Sequence, residues 1–260
     1  MRQSDRDIFA KRQRRRVITF ISLILLLLGA IIASVALGQY YVPLPDLPRI
    51  FLAGPDQEGL TGSVIWSIRI PRIVLGLLVG ASLGVAGTLM QAVFANPLAE
   101  PSIIGVTSGA GMGAAVIIVF NIGLLGTFTV PVGAFLSAVL VTAIIYQLAK
   151  SQGKVAVVNL ILTGIAINAV CGAIISFMVY LAPTTNWEQV IFWQMGSLNG
   201  SQWKHVWVVL PIAIIGVLAS MQLGKKLDVL ALGERAASHT GINVPRLRII
   251  AIGASTVLTA

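Results

Sequence analysis

Residues 17–37 read VITFISLILLLLGAIIASVAL, 21 positions without a charge. A helix of that length crosses the hydrocarbon core of a bilayer, and it is longer than most buried helices of soluble proteins. Comparable windows follow at 72–94, 102–120, 130–149, 155–181 and 206–223. Only 10% of the chain is charged, against about 25% in an average soluble domain. Soluble and disordered classes are thereby excluded, and the sequence predicts an all-α, polytopic transmembrane helical bundle with six complete spans. A seventh apolar segment begins near Leu247 and stops at Ala260. Its 14 residues reach about 21 Å as a helix, short of a core of roughly 30 Å. Ending there would strand backbone carbonyls in lipid, so the sequence reads as an N-terminal portion of a longer protein or a truncated product.

The basic residues set an orientation. Seven of the 18 Lys and Arg lie in residues 1–16, two at Lys150 and Lys154, and five in 224–248, all on one side of alternating spans. The other side holds four: Arg49, Arg69, Arg72 and Lys204. Because cytoplasmic flanks carry the excess of Lys and Arg, this bias places the N-terminus inside. The tryptophans Trp66, Trp187, Trp193, Trp203 and Trp207 all fall near the predicted outer boundary, as in an interfacial aromatic belt. The net charge of +9 is thus assigned to topology and anionic headgroups, with no nucleic-acid partner. The first span follows a basic stretch as a signal peptide does, but its apolar run exceeds a typical h-region, and it is read as a retained helix. The predicted organisation is a basic cytoplasmic segment, 1–16, then a transmembrane domain, 17–260. Within that domain, 183–205 forms an extracytoplasmic loop and 224–246 a cytoplasmic coupling segment.

Glycines recur every four residues in the second and third spans: Gly76, Gly80 and Gly84, then Gly105, Gly109 and Gly113. That spacing puts them on one face of each helix, where missing side chains let another backbone approach. The two spans are expected to form a tight hairpin around the Asn96–Pro101 turn.

The span interiors carry no Asp, Glu, Lys or His, the groups on which proton- and sodium-coupled carriers and intramembrane metal sites rely. His205 and His239 stand far apart, the lone Cys171 lies in a span, and no catalytic residue, metal ligand or cofactor is assigned. No phosphate-binding G-x-x-x-x-G-K-[ST] motif occurs, so active transport would draw its energy from a partner. Gln91, Asn159, Thr163 and Asn168 either line a path or bond to neighbouring helices. Between spans six and seven, Val229, Leu232, Gly233, Ala236, Ala237 and Thr240 form a small-residue stripe if the segment is one helix, with Gly241 as its stop. Lacking large apolar anchors, this helix reads better as a docking element for a cytoplasmic protein than as one lying on the membrane.

The stretch RIPRIVLGLLVGASLGVAGTLMQAVFANPLAEPSIIGVTSGAGMGA, Arg69 to Ala114, resembles the signature of the FecCD, or BtuC-like, permeases. FWQMGSLNG (192–200) and LALGERAASHTGINVPRLR (230–248) also resemble family motifs, in the same order. The resemblance implies an importer subunit with ten helices, paired with a second permease subunit and driven by a cytoplasmic ATP-binding subunit. The cargo implied is an iron–siderophore, haem or cobalamin. Arg69 and Arg72 would meet acidic residues of a periplasmic or lipid-anchored substrate-binding protein. Leu232, Gly233, Glu234, Arg235, Ala236, Ala237 and Gly241 would form the coupling helix against the ATPase. Gly153, Val157, Val158 and Asn159 would lie near the inner gate. The stretch that continues past the seventh helix in this family is absent here. The alternatives from other classes are an ion-coupled secondary carrier and a membrane scaffold without a transported substrate.

Overall fold

The computed structural model describes residues 3–55, 59–151 and 154–260. Apart from one antiparallel pair of two-residue strands, β1 (Lys150–Ser151) and β2 (Lys154–Val155), its elements are helical. In chain order they are α1 (Gln3–Ala36), α2 (Leu47–Ala53), α3 (Leu60–Ser63), α4 (Ile70–Phe94), α5 (Val106–Val119) and α6 (Thr129–Leu148). The strand pair separates α6 from α7 (Val157–Leu181), and α8 (Thr184–Met195), α9 (Trp203–Ala231), α10 (Glu234–His239) and α11 (Val244–Thr259) complete the chain. Among the described residues, five helical stretches are long and apolar enough to cross a membrane: 11–36, 60–94, 126–148, 157–181 and 203–231. Leucines and isoleucines along them stay exposed, as Leu26, Leu136, Leu162 and Ile215 do. Bare apolar faces of that extent are stable against lipid and not against water.

The expected third crossing differs from its prediction. Residues Pro101–Ile104 form a 3-10 turn, and α5 proper has 14 residues, about 21 Å at 1.5 Å per residue. Pro101 supplies the fixed φ of the turn's first position. Gly105 then adopts φ +78° as the residue before α5, a conformation that glycine enters without a Cβ penalty. Gly105 therefore does not belong to the helical glycine face on which the sequence placed it.

The chain divides into two compact units, with boundaries inside α4 and α9. The first comprises residues 1–76 and 199–206. Its small core is Val42, Ile50 and Ile65, with Leu47, Trp66 and Ile70 against them. Phe51 and Trp66 meet edge to face at 5.7 Å, a favoured aromatic arrangement.

The second unit, residues 77–198 and 207–260, holds the larger core. Met90 and Val93 of α4, Val141 and Ile145 of α6, Leu160 of α7 and Ala251 of α11 are buried together there. In it α5 approaches α6 closely. A Cβ on Gly109 would lie 2.8 Å from Val141 Cβ, and one on Gly113 would lie 2.5 Å from Ser137 Cβ and 2.7 Å from the Gly133 carbonyl oxygen. Ser137 uses the approach to donate to the Gly109 carbonyl at 2.7 Å. By contrast, a Cβ on Gly80 or Gly84 of α4 would have nothing within 4 Å among the described residues. The glycine-mediated hairpin thus joins α5 to α6, where the sequence had paired the second and third spans. Serine and alanine on α6 complete the contact, a pattern of small residues that a search for repeated glycines overlooks.

Candidate functional site

Two clusters concentrate the polar contacts that tie distant segments together. In the first unit, the chain enters α4 through a π-helical turn, Val64–Arg69. Such wide turns occur mostly as single insertions in helices, often at functional positions. Arg69 closes that turn and is 9% exposed. Its Nη1 donates to the Val35 carbonyl at the end of α1, and its Nη2 to the Tyr40 carbonyl just beyond. Gly38 permits this, because a Cβ there would lie 2.8 Å from Arg69 Nη2. Tyr40 and Thr61 share a hydroxyl hydrogen bond of 2.7 Å, and the Trp203 indole donates to the Trp66 carbonyl at 2.9 Å.

Arg72, three residues on, is exposed and donates from Nη2 to Asn199 Oδ1 at 3.0 Å. The same oxygen accepts the Gly200 backbone N–H at 3.1 Å. The R-x-P-R stretch therefore presents two guanidinium groups in different settings. One is turned inward onto backbone carbonyls, and the other lies on the surface.

The second cluster is in the second unit, around α10. Gly233 (φ +118°) and Gly241 (φ +81°) bracket this six-residue helix. Leu232 is 79% exposed, and Glu234, Arg235 and Ala236 are also exposed, whereas Ala237 is fully buried. The predicted stripe from Val229 to Thr240 is not one helix: α9 ends at Ala231 and the backbone breaks at Gly233. The left-handed φ of Gly233 redirects the chain, so Val229 and Ala237 do not share a helical face. Gly241 ends α10 as expected, and Asn243 caps α11 by accepting the Arg246 N–H at 3.0 Å, a standard use of an Asn side chain.

Of the gate residues, Gly153 lies outside the described residues. Val157 and Val158 open α7, with Val158 63% exposed. Asn159 donates to the Ala149 carbonyl at 3.4 Å. Asn168 donates to the Ser102 carbonyl at 3.0 Å. Both asparagines thus bond to neighbouring segments. Close by, the Ile103 carbonyl oxygen would stand 1.9 Å from a Cβ on Gly164, so the turn before α5 seats directly on the α7 backbone. A cleft of about 450 Å³ borders α5, α7, α8 and the end of α11, with Thr107, Ser108, Gln194 and Thr259 as its polar lining.

The arrangement of helices has known counterparts. It superposes with a TM-score of 0.77, at 30% identity, on a solved structure reported as an inward-facing conformation of an ABC transporter assigned to the metal-chelate type; the match covers 92% of this chain and 72% of that one. Residues 25–260 match the FecCD transport family. The chain belongs to the FecCD family. Among curated FecCD relatives, the cobalamin import system permease protein BtuC of Halobacterium salinarum is 34% identical over 238 residues, covering 88% of this chain and 63% of its own length. The vitamin B12 import system permease protein BtuC of Klebsiella pneumoniae is 33% identical over 246 residues, covering 93% and 70%. The hemin transport system permease protein HmuU of Yersinia pestis is 38% identical over 201 residues, covering 73% and 58%. This FecCD chain thus spans roughly three-fifths to seven-tenths of the relatives it matches, and it is a multi-pass membrane protein.

Sequence reasoning on this FecCD chain missed two features of the clusters. Arg248, counted only as one of the inner charges, is 6% exposed and pairs with Glu234. Its spacing of 14 residues from Glu234 crosses the break at Gly241, so no helical periodicity connects them. The second is α8, inside the predicted 183–205 loop, whose Asn186 donates to the Ile118 carbonyl at 3.0 Å. The Thr184–Asn186 polar run after Pro183 was the available signal for a helix start there.

Proposed function

We propose that this chain is the membrane-spanning permease subunit of an ATP-binding-cassette importer that brings a metal chelate into the cytoplasm. An iron–siderophore is the first cargo to test, with haem and cobalamin beside it. The observation that carries this reading is the FecCD match across 25–260; the import systems named for its relatives support it. The permease performs no bond chemistry in this scheme. ATP hydrolysis belongs to a separate cytoplasmic subunit, and a second permease subunit, identical or paralogous, completes the membrane pair.

The N-terminus and residues 1–16 lie in the cytoplasm, on the strength of the 14-to-4 bias of Lys and Arg across alternate flanks. Residues 183–205 then face outward and 224–246 inward. Arg72 offers an exposed guanidinium to a carboxylate of the substrate-binding protein, the kind of charge pairing that guides encounter and register. Arg69 contributes from beneath, holding the backbone on which Arg72 stands. On the inner side, Leu232, Arg235 and Ala236 are free to meet the ATPase. The polar lining of the cleft between α5, α7, α8 and the end of α11, Thr107, Ser108, Gln194 and Thr259, suits the carbonyl and hydroxyl groups of a chelate.

The test is uptake into proteoliposomes that contain the complete transporter, with ATP inside and the binding protein outside. Accumulation of a radiolabelled iron–siderophore, haem or cobalamin that requires both ATP and the binding protein is the expected result. Uptake that persists without the ATPase subunit and collapses with an ionophore overturns it.

A further inference from the structure

The Arg248 guanidinium joins three segments. From α11, Nη2 reaches Glu234 Oε2 of α10 at 3.0 Å, and Nη1 lies 3.4 Å from Glu234 Oε1. The same Nη1 donates to the Val155 carbonyl at 2.9 Å. Val155 ends β2, pairs across the hairpin with Lys150, and stands two residues before α7. Glu234, at the other end, is the first residue of α10.

We propose that Arg248 is a positioning residue that transmits displacement of α10 to the start of α7. The proposal rests on the reading of α10 as the element that meets the ATPase. Glycine joints bracket α10, and a Cβ at either Gly233 or Gly241 would meet nothing within 4 Å among the described residues, so the two joints themselves are not packed in. Within α10, Ala237 is the buried residue, and it belongs to the same core as Val244 and Leu247. The Glu234 carboxylate is the second tether, and it leads to Arg248. A planar guanidinium held on two sides moves as a plate, because its donors are fixed in a fork. Shifting the carboxylate therefore shifts the donor that holds Val155.

The setting is a poor one for stability alone. Arg248 is nearly buried while the Glu234 side chain is 57% exposed, and Arg248 Nε has no hydrogen-bond partner among the described residues. Burying a charge against a half-solvated partner, with one donor unmet, brings little net stabilisation. A pair of this kind suits a junction whose geometry changes during the cycle.

The experiment uses the complete transporter in lipid nanodiscs, in a Cys171→Ala background. Val158→Cys reports the start of α7 through its labelling rate with a membrane-impermeant maleimide, with and without ATP. Ala236→Cys reports α10 through cross-linking to the ATPase subunit. In the parent protein ATP changes the Val158→Cys rate and the cross-link forms. In Arg248→Lys and Glu234→Gln the cross-link persists while the ATP-dependent change shrinks about tenfold, within the usual range of coupling between sites. The double variant loses no more than either single one, as expected of two residues on one path. Glu234→Gln, at an exposed position, keeps the test alive if substitution of buried Arg248 impairs folding. A full ATP response in Glu234→Gln with the cross-link intact overturns the role of Arg248. Absence of the cross-link in the parent overturns the ATPase-contact reading and the relay with it, a result distinct from the first.

Discussion

Arg72 donates from Nη2 to Oδ1 of Asn199 at 3.0 Å, across 127 positions of sequence. The contact joins the R-x-P-R stretch to the end of FWQMGSLNG, two motifs with nothing in common as linear text. It also fixes the direction of an exposed cation, which would otherwise sample many rotamers. Reversing that charge in Arg72→Glu should raise the binding-protein concentration needed for half-maximal ATPase stimulation about tenfold, chiefly through a slower on-rate at low salt. Titration of the binding protein at two ionic strengths checks this. Equal responses of parent and variant would remove Arg72 from the docking surface.

Arg69 should behave differently. Its two carbonyl acceptors are backbone groups of the same unit, so Arg69→Ala strips hydrogen bonds from a buried junction. A loss of about 3–6 kcal/mol is expected for two bonds to a charged donor, with Arg69→Lys retaining part of it. Thermal unfolding in detergent measures this directly. A variant with parental stability and abolished docking would instead make Arg69 a contact residue.

The glycines divide by what surrounds them. Gly113→Ala places a methyl against Ser137 and the Gly133 carbonyl and should cost about 1–3 kcal/mol, as overpacking does. Gly84→Ala meets nothing among the described residues and should be neutral, or slightly stabilising through helix propensity. Urea unfolding of both variants side by side is the measurement, and equal effects would contradict the assignment of the close approach to α5 and α6.

Asn186 serves the last turn of α5, donating to the Ile118 carbonyl and more weakly to that of Val119. Asn186→Ala should lower stability by about 1 kcal/mol, and faster amide exchange at the end of α5 should accompany it. Unaltered exchange there would show that the cap is dispensable.

Much of this architecture was legible in the amino-acid order because bilayer length and charge bias are properties of the sequence. The apolar windows at 130–149 and 155–181 became helices close to their predicted bounds, whereas the helix at 17–37 ends at Ala36 but starts at Gln3, inside the predicted basic segment. The third window did not, since Pro101 and Gly105 act on backbone angles that hydropathy does not register. Arg69 and Arg72 were both visible as charges, but which one turns inward depends on the helix geometry before them. Arg248 was invisible as more than a charge, because its partners, Glu234 and the Val155 carbonyl, reach it only through the fold. Likewise, spacing showed that Gly80 and Gly113 lie on helix faces, and only packing tells an occupied face from an open one.

The π-helical turn carries an evolutionary consequence. Two arginines three positions apart in a uniform α-helix would lie on nearly the same face, yet Arg69 and Arg72 diverge. Removing one residue between Val64 and Ile68 would rotate the preceding segment by about 100° relative to α4 and bring Arg69 away from the Val35 and Tyr40 carbonyls. Val64, Ser67 and Ile68 can drift so long as the count of residues is kept, whereas Ile65 and Trp66 are held by the core of the first unit. Selection at those three positions should therefore act on length more than on identity, and aligned relatives should show varied letters there but no gaps.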